Sequence, residues 1–228
     1  MQRVLEVKDL QVSLSGEKVI RDLSFEVNKR DSLVVLGPNG AGKTTLFKAL
    51  LGLIPYEGEV KWHTQKISYL PPQELVARTS LFPLTVFDFF DFKKTSSSAT
   101  KKILKEVGLE ASIAKKTVNK LSTGQFQRMI IAWALAGDPD VLLFDEPTSG
   151  IDVGGQETIY TLLHKFWEKR GLTILLVTHE LNVVWEHASQ VLCLNKKGLC
   201  YGNPDEVLTP KKLKELYGGG IKFYKHRQ

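Results

Sequence analysis

The chain has 228 residues, enough to bury the core of one α/β domain with a subdomain. Hydrophobic residues make up 43% and charged residues 25%, an ordinary balance for a soluble globular protein. The net charge of +6 is carried by dispersed pairs such as Lys93-Lys94, Lys101-Lys102, Lys115-Lys116 and Lys211-Lys212. That dispersion suits a solvated face better than a nucleic-acid surface, so no nucleic-acid partner is expected.

In chain order, Leu5, Val7, Leu10 and Val12 predict a first strand, and Leu23, Phe25 and Val27 a second, with Ser15-Gly16-Glu17-Lys18 as the turn. Leu33-Val34-Val35-Leu36 has the length and branching of a buried strand. Leu46, Ala49, Leu50 and Leu53 then recur at helical spacing. Short strands are expected at Glu59-Val60-Lys61-Trp62 and Ile67-Ser68-Tyr69-Leu70, before Pro71-Pro72 breaks the pattern. From Thr85 the chain turns helical. Phe87, Phe89, Phe90 and Phe92 crowd one short helix, about half of them expected in a small core, and Ile103, Leu104, Val107 and Leu109 mark another. Thr95-Ser96-Ser97-Ser98 reads as a flexible joint between the two.

Ser122 has the residue type of an N-cap and opens a helix with Phe126, Met129, Ile130 and Trp133 on one face. Val141-Leu142-Leu143-Phe144 is a buried strand ending in Asp145-Glu146. Ile159, Leu162, Leu163, Phe166 and Trp167 form a helical stripe closed by Gly171. Residues 173–177 give a further strand, ending in Thr178-His179. Strands alternating with helices predict a mainly parallel sheet flanked by helices, with ligand at its carboxyl edge. The early strands add an antiparallel layer. Cys193 and Cys200 fit neither a disulfide framework nor a four-ligand zinc pattern, so Cys193 reads as a buried small hydrophobe suited to a reducing cytosol. No segment reads as a cleavable leader, and no window approaches the roughly 18 apolar residues of a membrane span. A path through a membrane would have to come from another polypeptide.

Gly37-Pro38-Asn39-Gly40-Ala41-Gly42-Lys43-Thr44-Thr45 matches the phosphate-loop pattern at each fixed position, Gly37, Gly42, Lys43 and Thr44. Glycines let successive backbone N–H groups converge on one anion, and the following helix N-terminus adds its partial positive charge. Lys43 is expected to reach the terminal phosphates and Thr44 to ligate Mg²⁺. A strand before it and a helix after it make a nucleoside triphosphate the expected ligand. Downstream of such a loop, Asp145 is placed to hold Mg²⁺ and Glu146 to polarise the attacking water. His179 is a candidate for γ-phosphate contact. The Gln73 amide, able to accept and donate, is a candidate for sensing Mg²⁺ or that water. Each alone reads as an ordinary surface group; together they form a hydrolytic edge.

In order along the chain, residues 37–44, 121–125, 141–146, 149–152 and 178–179 resemble the motif set of ABC-transporter ATPase subunits. The resemblance spans essentially the whole chain, and the Leu121-Ser122-Thr123-Gly124-Gln125 signature is its most discriminating part. It implies a P-loop NTPase in a single 1–228 domain. The core would comprise 1–84 and 121–228, and an inserted helical subdomain 85–120. It also implies ATP and Mg²⁺ as cofactors and a head-to-tail dimer, with a homodimer as the expected form. Each ATP would lie between one subunit's phosphate loop and the other's Ser122 and Gly124, with Asp152 communicating across the dimer. Further implied partners are an integral membrane permease docked on the helical subdomain and, indirectly, an extracytoplasmic binding protein. The chain would then sit on the cytoplasmic face of the membrane.

There are departures from the family pattern. Thr123 replaces a glycine, Leu14 stands where an aromatic usually stacks on adenine, and an extra proline precedes Gln73. Residues 81–86, 150–156, 191–195 and 216–218, with Tyr224-Lys225-His226, are similar to the zinc and manganese importers. The competing reading is a soluble ABC-type ATPase acting on nucleic acid or ribosomes. The short stretch between Thr44 and Leu121 carries no sustained heptads, and the chain has one phosphate loop and one signature, which both argue against it.

Overall fold

The computed structural model describes residues 2–72, 84–148, 153–195 and 198–218. Gln73, Asp152 and residues 149–151 lie outside the described residues, as do 219–228. The chain forms two compact units, Met1–His63 with Leu176–Gln228, and Thr64–Leu175.

In the first unit, β1 (Arg3–Leu14) pairs antiparallel with β2 (Glu17–Asn28) on one side and β4 (Glu57–Trp62) on the other. Leu5, Val7, Leu10 and Val12 are buried. The period of two slips between Val7 and Leu10, where the register shifts and Asp9 takes φ 50°, so a bulge keeps the apolar side chains on one face. β3 (Ser32–Leu36) is buried along its whole length and pairs in parallel with β8 (Gln190–Asn195). Burial on both faces explains its unbroken apolar run. α1 (Lys43–Leu50) ends at Leu50, earlier than the apolar spacing predicts; Leu53 lies beyond it and is 61% exposed. The unit also contains α6 (Leu181–His187), α7 (Pro204–Val207) and α8 (Pro210–Tyr217). Asn195 Nδ2 donates to the carbonyls of Glu215 (3.2 Å) and Leu216 (2.9 Å), tying the end of α8 to β8.

The cysteines correct the sequence reading. β8 turns back as β9 (Gly198–Gly202), antiparallel, and the register sets Cys193 directly opposite Cys200 with their sulfurs bonded. A hairpin brings together residues whose spacing alone suggested no pairing.

In the second unit, β5 (Ile67–Leu70) pairs in parallel with β6 (Val141–Asp145). Between them in sequence come α2 (Val86–Asp91), α3 (Ser97–Glu106), two 3₁₀ turns (Ala111–Lys115 and Val118–Lys120) and α4 (Thr123–Leu135). α5 (Val153–Arg170) follows β6, and β7 (Thr173–Val177) runs through the point where the chain divides. Of the aromatic cluster, Phe90 is fully buried, Phe87 and Phe89 are half-buried, and Phe92 is 71% exposed. The Phe89 and Trp133 rings meet edge-on at 5.3 Å, and Trp133 Nε1 donates to the Phe89 carbonyl. The serine joint is shorter than expected, because Ser96 caps α3 and Ser97 and Ser98 form its first turn.

Candidate active site

The first unit supplies a phosphate cradle. The Gly42 N-cap of α1 sits at φ 96° in the left-handed region, and a side chain there would meet Val19 Cγ1 at 2.8 Å. A Cβ on Gly37 would lie 2.3 Å from the Leu194 carbonyl oxygen, so glycine is what lets the loop leave β3 against β8. The Ala41 N–H donates to the Pro38 carbonyl (3.1 Å), turning the loop so that Asn39 and Gly40 face solvent. Ala41 is buried, and Thr44 and Thr45 are half-buried at the start of α1. Lys43 is 5% exposed, and its Nζ donates to the carbonyls of Gly37 (2.9 Å) and Pro38 (3.2 Å), bridging the loop. Burial pushes the Tyr217 phenol, on α8, up to about 12, with the Gly37 N–H acting in the opposite direction.

The same unit carries His179. The Thr178 N–H donates to the Val35 carbonyl (3.3 Å), and the Glu180 N–H donates to Thr178 Oγ1 (3.1 Å), leaving His179 exposed just beyond β7. Leu14, at the tip of the β1–β2 hairpin, is 42% exposed.

The second unit supplies the acidic pair and the signature helix. Asp145 is the last residue of β6 and is fully buried. Tyr69 Oη lies 3.5 Å from Asp145 Oδ2, and burial, reinforced by that carboxylate, pushes the Tyr69 phenol far up. Glu146 is half-buried at φ 51°, so the chain turns sharply where strand becomes loop. The Thr148 and Tyr160 hydroxyls are 3.1 Å apart beyond it.

Ser122 caps α4 in a reciprocal box. The Gln125 N–H donates to Ser122 Oγ (3.3 Å), and the Ser122 N–H donates to Gln125 Oε1 (3.2 Å). Gln125 is therefore turned back on its own helix, while Ser122 keeps a hydroxyl proton to donate. Ser122 and Thr123 are exposed, and a Cβ on Gly124 would meet nothing within 4 Å among the described residues. Tyr69 and Gln127 belong to no motif in the sequence, yet they contact Asp145 and the Pro147 carbonyl. The available signal was a polar residue, Gln127, inside a helix otherwise buried by Met129, Ile130 and Ile131.

A glycine cradle opening a helix after a buried parallel strand, with an acidic pair closing another, defines a P-loop nucleotide-binding α/β protein. Residues 20–149 match the family model described as ABC transporter. The chain belongs to the ABC transporter family and is an ATPase of it. It is 35% identical to a probable metal transport system ATP-binding protein of Thermotoga maritima, over 94% of this chain and 90% of that one. It is also 35% identical to the zinc import ATP-binding protein ZnuC of Pseudomonas entomophila (96% and 85% covered) and 37% identical to ZnuC 1 of Hahella chejuensis (94% and 84%). Among solved structures it superposes on a chain from a transporter assigned to the metal-chelate type, captured inward-facing, with TM-score 0.83, 29% identity and coverage of 95% and 89%. It also superposes on cbiO1 of Clostridium perfringens, part of the ABC transporter complex cbiONQ, with TM-score 0.77, 26% identity and 94% of each chain covered.

Proposed function

We propose that this ATPase powers uptake of zinc or manganese through a separate membrane permease, working as a head-to-tail pair. The observation that carries the pairing is the outward-facing N-terminus of α4. Ser122 and Thr123 are exposed there, and among the described residues nothing crowds Gly124. A capped helix N-terminus offers N–H groups and a hydroxyl to an anion, and the phosphate loop awaits a lid. In this reading the lid over residues 37–45 is Ser122 and Gly124 of a second subunit, with Asp152 signalling between them.

In this reading Lys43 and the loop N–H groups hold the β- and γ-phosphates, His179 contacts the γ-phosphate, and Glu146 orients and polarises the attacking water. Mg²⁺ prefers hard oxygen donors, which the Thr44 hydroxyl and the Asp145 carboxylate supply, and Gln73 is the amide that would sense it. Among the described residues no group of three or more His, Cys, Asp or Glu could hold a metal alone, so phosphate oxygens and water would complete its shell. When bound, the ion neutralises charge on the phosphates. The described residues contain no helix long and apolar enough to cross a membrane. In this reading the permease is a separate chain, and this subunit docks on it at the membrane's cytoplasmic face. The half-exposed aromatics of α2 belong to the insert proposed to meet it. A binding protein outside the membrane would deliver the metal.

The names of the relatives support the metal assignment. Its test is to reconstitute the chain with the membrane protein that co-purifies with it and follow labelled Zn²⁺ and Mn²⁺ in proteoliposomes. ATP-dependent accumulation of one of them is expected. ATP hydrolysis with neither metal moved would refute the cargo assignment.

A further inference from the structure

Gln127 lies on α4, five positions past the Ser122 cap, and is 1% exposed. A glutamine so deeply buried is costly unless its amide is satisfied. Its Nε2 donates to the Pro147 carbonyl at 2.5 Å. Pro147 directly follows Glu146, whose φ of 51° is a left-handed conformation that disfavours a residue with a Cβ. Such a conformation persists when its surroundings hold it on both sides. On one side Asp145 is fixed in β6, paired with β5. On the other, the Pro147 carbonyl is held by Gln127, and beyond it Thr148 meets Tyr160.

We propose that Gln127 is a positioning residue for Glu146. Its amide ties the helix that begins at Ser122 to the turn that aims the Glu146 carboxylate. Because α4 is a continuous helix, a displacement of its N-terminus is carried along the helix to the Pro147 carbonyl. The orientation of Glu146 thus depends on where α4 sits. This links the exposed signature of a subunit to that subunit's own hydrolytic carboxylate. The inference rests on the reading of Glu146 as the group that polarises water, and adds to it a residue that never touches nucleotide.

The test is Gln127→Met, which keeps the side chain's length and removes the donor. The expected result is a kcat reduced about ten- to a hundredfold, the scale of a misaimed catalytic group. KM and ATP affinity should stay within about twofold, since ground-state binding is untouched. In single-turnover assays on the Glu146→Gln background, adding Gln127→Met should lower the residual rate by less than about twofold, because the two changes act on one group. A kcat unchanged in Gln127→Met, an equal loss of ATP affinity, or an additive loss in the double variant would overturn the proposal. If Gln127→Met does not fold, Gln127→Leu is measured in the same way. Failure of both to fold would assign Gln127 to core packing and also overturn it. Full turnover in Glu146→Gln alone would instead sink the reading of Glu146, a distinguishable outcome.

Discussion

Gly37 and Gly124 are both glycines of the proposed nucleotide machinery, yet they answer to different neighbours. Gly37 is demanded by its own chain, because a methyl there would collide with the Leu194 carbonyl oxygen. Gly37→Ala is expected to cost about 2 kcal/mol, the usual scale of overpacking, and to weaken ATP binding; denaturant unfolding with nucleotide titration checks both. Among the described residues, nothing comes within 4 Å of a Cβ built on Gly124. Gly124→Asp should therefore leave unfolding stability within about 0.5 kcal/mol while stopping hydrolysis by an assembled pair. Normal hydrolysis in that variant would show that the space is not filled by a partner's nucleotide. That residues 37–42 lead from a strand into a helix at Lys43, and that Asp145 ends a strand, was legible because a phosphate loop and an acidic pair call for residue types at fixed spacing. The inward bridge from Lys43 to the Gly37 and Pro38 carbonyls was not, because a pattern names the lysine without saying where its ammonium rests. Gln127 was missed for a related reason: its meaning lies in a carbonyl twenty residues away.

At the scale of elements, caps decide where helices begin. The Thr85 side chain accepts from the Asp88 N–H, and the Asp88 carboxylate accepts from the Thr85 N–H (2.7 Å) and hydroxyl (2.6 Å), closing a box around α2. The Thr85 hydroxyl, then its backbone N–H, hold the Asp88 carboxyl below the usual range. A depressed native value means that the box's contribution is complete above the ordinary Asp value near ~3.9 and fades as pH falls through the lower native one. Protection factors for amide exchange in α2, taken against the intrinsic rate at each pH, should accordingly fall on acidification, and Asp88→Asn should flatten that dependence. Thr85→Ala should cost about 1 kcal/mol by thermal unfolding. Most strands and helices could be read from period alone, since Leu33–Leu36 and Val141–Phe144 are apolar runs too short for helices. Bulges and hairpins could not. The slip at Asp9 and the opposition of Cys193 to Cys200 depend on pairing register, which a linear pattern does not carry.

At the scale of the whole molecule, the residues proposed to act on ATP are distributed over the described units: the cradle, Lys43 and His179 in one, Asp145, Glu146 and Ser122 in the other. In the proposed arrangement a second subunit completes the site. Arginine at position 122 would push bulk and charge from an exposed cap into a partner's site without disturbing the chain's own loop. Ser122→Arg is thus expected to bind ATP as a monomer with unchanged affinity and to hydrolyse it at least about a hundredfold more slowly, the cost of losing oriented transition-state contacts. The most direct measurement is sedimentation of the Glu146→Gln chain with and without ATP. The account predicts a monomer without nucleotide and a stable species of twice that mass with ATP, abolished when Ser122→Arg is added. A Glu146→Gln chain that binds ATP and remains monomeric would contradict the shared site.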